Sequence, residues 1–306
     1  MSNRKNKDFI KLHFIVLIWG FTAILGSLIT IPSVEIVFYR TLLSAIGLGI
    51  VLFWRKIPFS VPKKALPIIL FTGVMIGFHW IFFFAAARVS TVSVCLVGMA
   101  TTSLWTSLIE PLFNKKKISI YEVSLGLLVI AGLYIIFKFE FEHGLGLTLA
   151  ILSALIAAFF SVSNSFLTKK YNHYVLNFYE MIGACIVTVL FFPIYTHYFT
   201  EGVGLQLKMT NTDIIYMTIL ALVCTVYAYS ASIELMKRIS AFALNLVVNL
   251  EPVYGIILAL IIFGDKEKMA PEFYFGTFII LLSVLSYPVL NKWLLAKSGS
   301  LPKTGR

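Results

Sequence analysis

The chain contains two related groups of five long apolar segments. Phe-Tyr-Arg at 38–40 recurs as Phe-Tyr-Glu at 178–180, and Arg-Val-Ser at 88–90 recurs as Arg-Ile-Ser at 238–240. Ordered matches on both sides of one insertion indicate a duplicated unit. Because five is an odd number, the second copy must cross a bilayer in the opposite direction to the first, as in the inverted repeats of many membrane proteins.

The composition is that of an integral membrane protein. Hydrophobic residues make up 59% of the 306 residues, charged residues 13%, and the mean hydropathy is +0.92. This leaves too little polar surface to cover a soluble globule. A helix needs about 20 residues to cross the hydrocarbon layer, where only helices and closed barrels satisfy their own backbone. The runs 12–29 and 66–87 are apolar throughout, without the alternation of barrel strands, so the sequence predicts an all-α fold.

Charge clusters, prolines and glycines divide the chain into ten predicted spans. In chain order, spans 1 to 10 cover residues 9–30, 34–54, 65–87, 89–113, 120–138, 144–168, 175–198, 212–235, 240–263 and 272–295. Spans 1 to 5 form repeat 1, within residues 10–138, and spans 6 to 10 form repeat 2, within residues 144–294. We therefore expect ten transmembrane helices in two inverted five-helix repeats.

Basic residues concentrate in alternate connections between the spans. Nineteen Lys and Arg residues lie on the side of the amino terminus, and five lie on the opposite side. The positive-inside rule then places both termini in the cytoplasm. This orientation, with attraction to anionic lipid headgroups, explains the formal net charge of +11. The expected surroundings are therefore a lipid bilayer, and no nucleic-acid partner is expected.

The sequence gives little support for metal or covalent chemistry. Its three cysteines lack CxxC spacing and its five histidines lack metal-ligand spacing, so we expect no metal and no cofactor. The aspartates lie at or beyond the span ends, and nucleophile-elbow motifs are missing. A polytopic membrane enzyme acting on a lipid or lipid-linked substrate is therefore the weaker alternative to transport. Residues 301–305 match a cell-wall sorting pentapeptide but lack the apolar segment that follows such signals, and we interpret the match as a coincidence.

The ordered motifs resemble those of EamA-type members of the drug/metabolite transporter superfamily. They include Trp-Gly at 19–20, Phe-Tyr-Arg in span 2, Phe-Tyr-Glu in span 7 and Glu-Pro at 251–252. The resemblance covers about residues 10 to 294 and implies a ten-helix bundle in the inner (plasma) membrane, with a central cavity between the halves. It also implies export or exchange of small metabolites such as amino acids by alternating access. Thr101 and Thr102 stand at the positions matched to Glu251 and Pro252, which puts the functional symmetry of the two halves in question.

Deep aromatic and amide side chains define the predicted substrate pathway. We expect a cavity walled by spans 1, 3, 4, 6, 8 and 9, with seven candidate residues: Trp19, His79, Trp80, Trp105, Tyr227, Asn245 and Asn249. Asn245 and Asn249 share one side of span 9, and amides buried in lipid need partners, so this side should face protein or water. His79 is either a packing residue or a titratable contact in the cavity. Abundant aromatics with few fixed charges favour an amino-acid-like or amphipathic solute.

Four further residues are candidates for coupling or gating: Glu251, Pro252, Arg40 and Glu180. Arg40 and Glu180 occupy matched positions about 9 Å deep by helical rise, where either gating or structural pairing explains a charge. Glu251 lies about 16 Å deep, and Pro252 should loosen the helix near Val248. Glu251 is therefore either a proton carrier or a structural ligand that holds the kink. In an unbroken helix its side chain points about 120° away from Asn245.

Overall fold

A computed structural model describes residues 2–115, 118, 120–139 and 141–297. Within this part of the chain all regular structure is helical. Eight stretches are long and apolar enough to cross a membrane, and two shorter apolar helices, Val123–Ile136 and Pro271–Ser283, lie at the predicted positions of spans 5 and 10. The predicted all-α membrane fold is confirmed. The pentapeptide at 301–305 lies outside the described residues.

The helices follow the predicted spans closely. Spans 1 to 5 contain α-helices at Ser2–Gly20, Thr22–Leu28, Ser33–Trp54, Leu66–Val89, Val92–Met99, Thr102–Asn114 and Ile120–Phe139. Spans 6 to 10 contain α-helices at Gly144–Leu167, His173–Tyr198, Asn211–Ala221, Ser230–Leu235, Ala241–Val248, Glu251–Phe263 and Pro271–Lys297. A π-helix covers Leu222–Tyr229, and short 3-10 helices cover Phe141–His143 and Gly264–Glu267.

Four spans are interrupted, although the sequence predicted a loosened helix only in span 9. Span 1 breaks at Phe21, span 4 at residues 100–101 and span 9 at residues 249–250, while span 8 changes into the π-helix. Proline accompanies only the break in span 9, where Pro252 is the second residue of the new helix. The helix before it ends at Val248, which agrees with the expected loosening at that residue. The other three interruptions have no proline to predict them.

The two repeats interlock along the whole bundle. Span 3 packs against spans 6 and 7, span 2 against span 7, span 4 against span 6, and span 5 against span 10. Glycine permits the closest approach at two of these contacts. A Cβ atom added at Gly132 would lie 2.7 Å from the carbonyl oxygen of Gly276, and one added at Gly276 would lie 2.7 Å from that of Gly132. Gly73 on span 3 similarly packs directly on the backbone of Glu180 on span 7.

Spans 4 and 9 run antiparallel and exchange carboxylate caps. Glu267, beyond the end of span 9, accepts hydrogen bonds from the backbone N–H groups of Val92 and Ser93 at 2.9 Å, where span 4 begins. Glu110, near the end of span 4, accepts one from the backbone N–H of Phe242 at 2.8 Å, where span 9 begins. A carboxylate at a helix start binds free N–H groups and is favoured by the helix dipole. These caps join the two spans at both ends.

The bundle has two opposite ends, each marked by charged residues. The amino-terminal face carries Lys11 and Arg238, and the far face carries Arg88 and Glu267. The half-helices of spans 4 and 9 meet their interruptions midway between these faces. The interrupted spans therefore place backbone irregularities at the centre of the bundle, where irregular backbone is tolerated beside protein or a cavity.

Candidate substrate cavity

A cavity occupies the centre of the bundle. Its volume is about 100 Å³, well above the roughly 10–15 Å³ that one water molecule needs. Seven spans line it, because span 2 joins the six that the sequence predicted. Its lining reaches from midspan residues such as Thr102 to Met236 at the end of span 8. Since Met236 is near Arg238, the cavity extends toward the amino-terminal face.

Arg40 brings a positive charge to the cavity wall. Its guanidinium carbon lies 3.7 Å from the centroid of the Trp80 ring, and its Nε donates to Thr225 Oγ1 at 2.9 Å. The side chain is 2% exposed, and its buried Nη1 has no hydrogen-bond partner. Stacking on the indole and the Nε bond hold the guanidinium plane in place. Arg40 therefore lines the cavity with unused hydrogen-bonding capacity.

Glu251 brings an acidic side chain to the same cavity from repeat 2. It is the first residue after the break in span 9 and is 9% exposed. Asn245, before the break, also lines the cavity. An unbroken helix would direct these two side chains about 120° apart, so the interruption is what lets both reach the cavity. The described residues provide Glu251 with neither a hydrogen bond nor an ion pair.

His79 both packs and lines the cavity. Its Nδ1 lies 3.0 Å from the carbonyl oxygen of Ser153, and Ser153 Oγ donates to the His79 carbonyl oxygen at 2.8 Å. A carbonyl oxygen only accepts, so Nδ1 carries the hydrogen and donates. In the neutral form of the ring, Nε2 is then the acceptor nitrogen. His79 is therefore hydrogen-bonded to span 6 and also lines the cavity, and its role as a titratable contact stays a prediction.

Asn245 links three spans at the cavity wall. Its Oδ1 accepts from Ser161 Oγ at 3.1 Å, and its Nδ2 donates to Thr106 Oγ1 at 2.9 Å. Asn249, one turn later, donates to Ser103 Oγ at 2.7 Å and lies in the contact between spans 4 and 9 instead of the cavity wall. The sequence predicted that this side of span 9 faces protein or water. In the structure Asn245 faces the cavity and Asn249 faces span 4.

The π-helix Leu222–Tyr229 supplies backbone oxygens to side chains around the cavity. Trp19 Nε1 donates to the carbonyl oxygen of Cys224 at 3.1 Å, and Asn177 Nδ2 donates to that of Thr225 at 3.2 Å. A π-helix shifts the backbone hydrogen-bond pattern and often occurs at functional sites. Here it fixes one aromatic wall of the cavity.

Five of the candidate residues are not in the lining of the cavity. One of them is Asn249, and the other four lie elsewhere in the bundle. Trp105 packs beside a small apolar cluster on spans 4, 6 and 9. Tyr227 is 45% exposed and contacts the ring of Phe14 edge-on, with centroids 6.4 Å apart. Pro252 is buried behind the break, and Glu180 is buried among spans 6, 7 and 8. The remaining candidates, Trp19, His79, Trp80, Asn245, Arg40 and Glu251, come together around the cavity.

Several lining residues were not among the sequence candidates. Thr102, Phe83, Phe160 and Ser161 all line the cavity. Thr102 begins the second half of span 4 just as Glu251 begins the second half of span 9. The repeat alignment, shifted by one residue, was therefore a signal for Thr102. The other three residues had no distinguishing signal, because apolar and small residues are abundant throughout the spans.

Polar contacts close the bundle at the far face. Arg88 Nη2 donates to the backbone carbonyl oxygens of Gly26, Ile29 and Ile31, between spans 1 and 2. The Glu267 cap on span 4 lies at the same face and is also buried. These contacts join spans 1, 3, 4 and 9 at the far face, and none of their residues is in the lining of the cavity.

Two ion pairs join the spans at the amino-terminal face. Lys11 Nζ donates to Glu234 Oε2 at 2.7 Å, and Arg238 donates to both carboxylate oxygens of Asp8 at 2.7 and 2.8 Å. These hydrogen bonds to Asp8 raise the pKa of Arg238. Both pairs are partly exposed to solvent. They connect the start of span 1 to the end of span 8, on the face toward which the cavity extends.

This arrangement defines a multi-pass helical membrane protein whose two repeats enclose one central cavity. The family model described as "EamA-like transporter family" matches residues 10–138 and 144–287. The chain belongs to this family, whose members are generally transporters, and the resemblance read from its motifs is confirmed. A solved structure titled only "Crystal structure of protein" is similar, with 14% sequence identity, a TM-score of 0.69 and coverage of 93% of this chain and 98% of that chain. At this identity the likeness shows the fold alone. Among curated proteins, no relative matches the chain.

Proposed function

We propose that the protein is an inner-membrane secondary transporter that moves a small zwitterionic, amino-acid-like solute by alternating access. The observation that carries the proposal is the pair of a basic and an acidic side chain in the central cavity. Arg40 comes from repeat 1 and Glu251 from repeat 2, and no ion pair within 4.0 Å joins them in the described chain. A solute that bears both a carboxylate and an ammonium group complements both residues at once.

The energetic argument follows from burial. A buried charge without a partner costs several kcal/mol, so a ligand group of opposite charge gains more here than it would on an exposed surface. The planar guanidinium suits a carboxylate, while Glu251 suits an ammonium group. Trp19, Phe83 and Phe160 provide an apolar wall for the rest of the solute.

The closing contacts support alternating access. The contacts at the far face combine the buried hydrogen bonds to Glu267 with the part-buried hydrogen bonds of Arg88. The two ion pairs at the amino-terminal face are more exposed to solvent. Exposed ion pairs contribute about 0–1 kcal/mol each, so the amino-terminal face is the easier one to open. With both termini in the cytoplasm, as the charge distribution favours, the conformation described here has its cavity directed inward.

Counterflow in proteoliposomes tests the proposal directly. Vesicles loaded with unlabelled phenylalanine should accumulate labelled phenylalanine, and a panel of other amino acids then maps the specificity. Phenethylamine and 3-phenylpropanoate, which each lack one of the two charges, should compete about tenfold to hundredfold more weakly, because each forgoes one charged hydrogen bond.

The substitution Arg40→Gln tests whether Arg40 binds the carboxylate of the solute. It should abolish the preference for phenylalanine over phenethylamine, while Lys170→Gln, at an exposed position, should leave that preference intact. Equal preference in the wild type and in Arg40→Gln contradicts the assigned role of Arg40. Recovery of a chemically altered solute would instead favour the membrane-enzyme alternative.

A further inference from the structure

A second polar cluster lies outside the cavity lining, among spans 6, 7 and 8. Its centre is Glu180, whose side chain is 0% exposed and whose two carboxylate oxygens both lack a hydrogen-bond partner. Its polar neighbours are the amide of Asn164 and the hydroxyl of Tyr229, which are joined by a hydrogen bond from Asn164 Nδ2 to Tyr229 Oη at 2.8 Å. Gly73 packs against the backbone of Glu180 from span 3.

An ionised carboxylate in these surroundings would be strongly unfavourable. Removing it from water without a partner costs several kcal/mol. The buried ionisable groups at midspan on the packed spans 2 and 3 are Arg40 and His79, and both are bonded elsewhere. Span 6 contributes the neutral Asn164, and span 8 contributes Tyr229, whose hydroxyl already accepts from that amide. The carboxyl group therefore requires a bound proton or cation.

Tyr229 connects this buried group to the cavity. Its aromatic ring lines the cavity and meets Phe160 edge-on, with centroids 6.3 Å apart, while its hydroxyl lies beside Glu180. A solute that displaces the ring also displaces the hydroxyl. Tyr229 therefore couples the protonation state of Glu180 to the presence of a solute in the cavity.

We propose that Glu180 is a proton-binding site that couples solute movement to a proton gradient, with Tyr229 as the positioning residue between it and the cavity. This inference rests on the proposed transport function. The proton passes between water and one carboxylate oxygen when a conformational change opens the cluster, and no other bond forms or breaks. A metal cation would need several more oxygen ligands, whereas the described polar neighbours of the carboxyl group are only the amide of Asn164 and the phenol of Tyr229. The amide donates to the phenol through Nδ2, and its Oδ1 lacks a partner and can accept from a protonated carboxyl group.

Infrared spectroscopy of the purified full chain in lipid nanodiscs tests the site without any solute. A protonated carboxyl group has its own carbonyl stretch, which disappears when the group ionises. We expect one such band in the wild type to be absent in Glu180→Gln and retained in Glu251→Gln. The substitution Tyr229→Phe should retain the band and shift the pH at which it disappears. An unchanged set of bands in Glu180→Gln overturns the proposal.

Cation dependence separates a proton from sodium. The same titration is repeated in sodium chloride and in choline chloride, together with the melting temperature of each variant. On the proposal neither salt alters the band. If sodium ions alone raise the melting temperature of the wild type but not that of Glu180→Gln, the group is a sodium ligand and the proton assignment is wrong.

Transport assays then test the coupling. With one proton per solute, a gradient of about one pH unit supports about tenfold accumulation. Glu180→Gln should lose this accumulation and retain gradient-free counterflow of phenylalanine. If the wild type shows no counterflow with any amino acid, the proposed solute class is wrong, while the infrared titration still decides the role of Glu180. Accumulation that persists in Glu180→Gln contradicts the coupling.

Discussion

Spans 4 and 9 share one architecture and differ in the chemistry at its centre. Each begins with a hydroxyl cap, from Thr91 or Ser240, and each is interrupted after a first helix of 8 residues. In span 4 the hydroxyls of Thr101 and Thr102 donate to the carbonyl oxygens of Gly98 and Met99 at 2.8 and 2.7 Å. In span 9 the corresponding turn continues into Glu251 and Pro252.

The comparison separates what the fold requires from what the cavity requires. The break occurs in both repeats, so it belongs to the shared architecture and does not depend on proline. An acidic residue follows the break in repeat 2 only, where Glu251 begins the second helix of span 9. The neutral Thr102 begins the second helix of span 4. The matched pair Arg40 and Glu180 shows the same division: Arg40 lines the cavity, and Glu180 lies buried outside it.

The largest expected effect comes from removing the charge that distinguishes span 9. Glu251→Gln should reduce counterflow of phenylalanine about tenfold to hundredfold, because it replaces a charged hydrogen bond by a neutral one. Thr102→Val at the matched site in span 4 is the control. If Glu251→Gln retains wild-type transport with unchanged pH dependence, Glu251 is structural, and neither solute binding nor proton carriage belongs to it.

A stability difference should follow from breaking the cap on span 4. Glu267→Gln replaces the carboxylate that accepts three hydrogen bonds from Val92 and Ser93 by a neutral amide. Because bonds to a charged group contribute about 1.5–3 kcal/mol each, we expect a clear loss of thermal stability in detergent. Ser93→Ala, which removes one of the three, should lose less. Equal melting temperatures for all three proteins would show that the cap adds nothing to stability.

A smaller effect is expected from removing the proline of span 9. Since span 4 breaks without proline, Pro252→Ala should preserve the interruption and change counterflow by less than about threefold, or about 0.7 kcal/mol. Pro252→Leu serves as a bulkier comparison at the same buried position. A loss of transport as large as that of Glu251→Gln would mean that proline itself maintains the break, and that the two spans are interrupted for different reasons.

The smallest effect is expected from the hydroxyls of span 4. Thr102→Val keeps the shape of the side chain and removes the hydrogen bond to Met99. A neutral hydrogen bond contributes about 0.5–1.5 kcal/mol, so the melting temperature should fall slightly while solute preference stays unchanged. A changed preference between phenylalanine and phenethylamine in this variant would show that span 4 also selects the solute.

The sequence predicted the fold class well and the site only in part. Span positions follow from the length of apolar runs, which is a local property, and every predicted span coincides with helix in the described residues. Tyr227 and Tyr229 show the limit of this reasoning. They are two residues apart on one helix and so point to roughly opposite sides of it, and of the two it is Tyr229 that lines the cavity while Tyr227 is exposed. Because the sequence contains neither Gly nor Pro at this place to signal a change of helix type, helical geometry alone could not choose between them.

The sequence by itself determined that this chain is a helical membrane protein with a duplicated unit, because hydrophobic length, charge placement and repeated motifs are written along the chain. Only the tertiary structure decided which deep residues meet. Asn245 and Glu251 both reach the cavity because span 9 is interrupted between them, and Arg40 lies against Trp80 because spans 2 and 3 pack together. Side chains on separate helices are brought together by packing, and no local pattern within one helix specifies that contact.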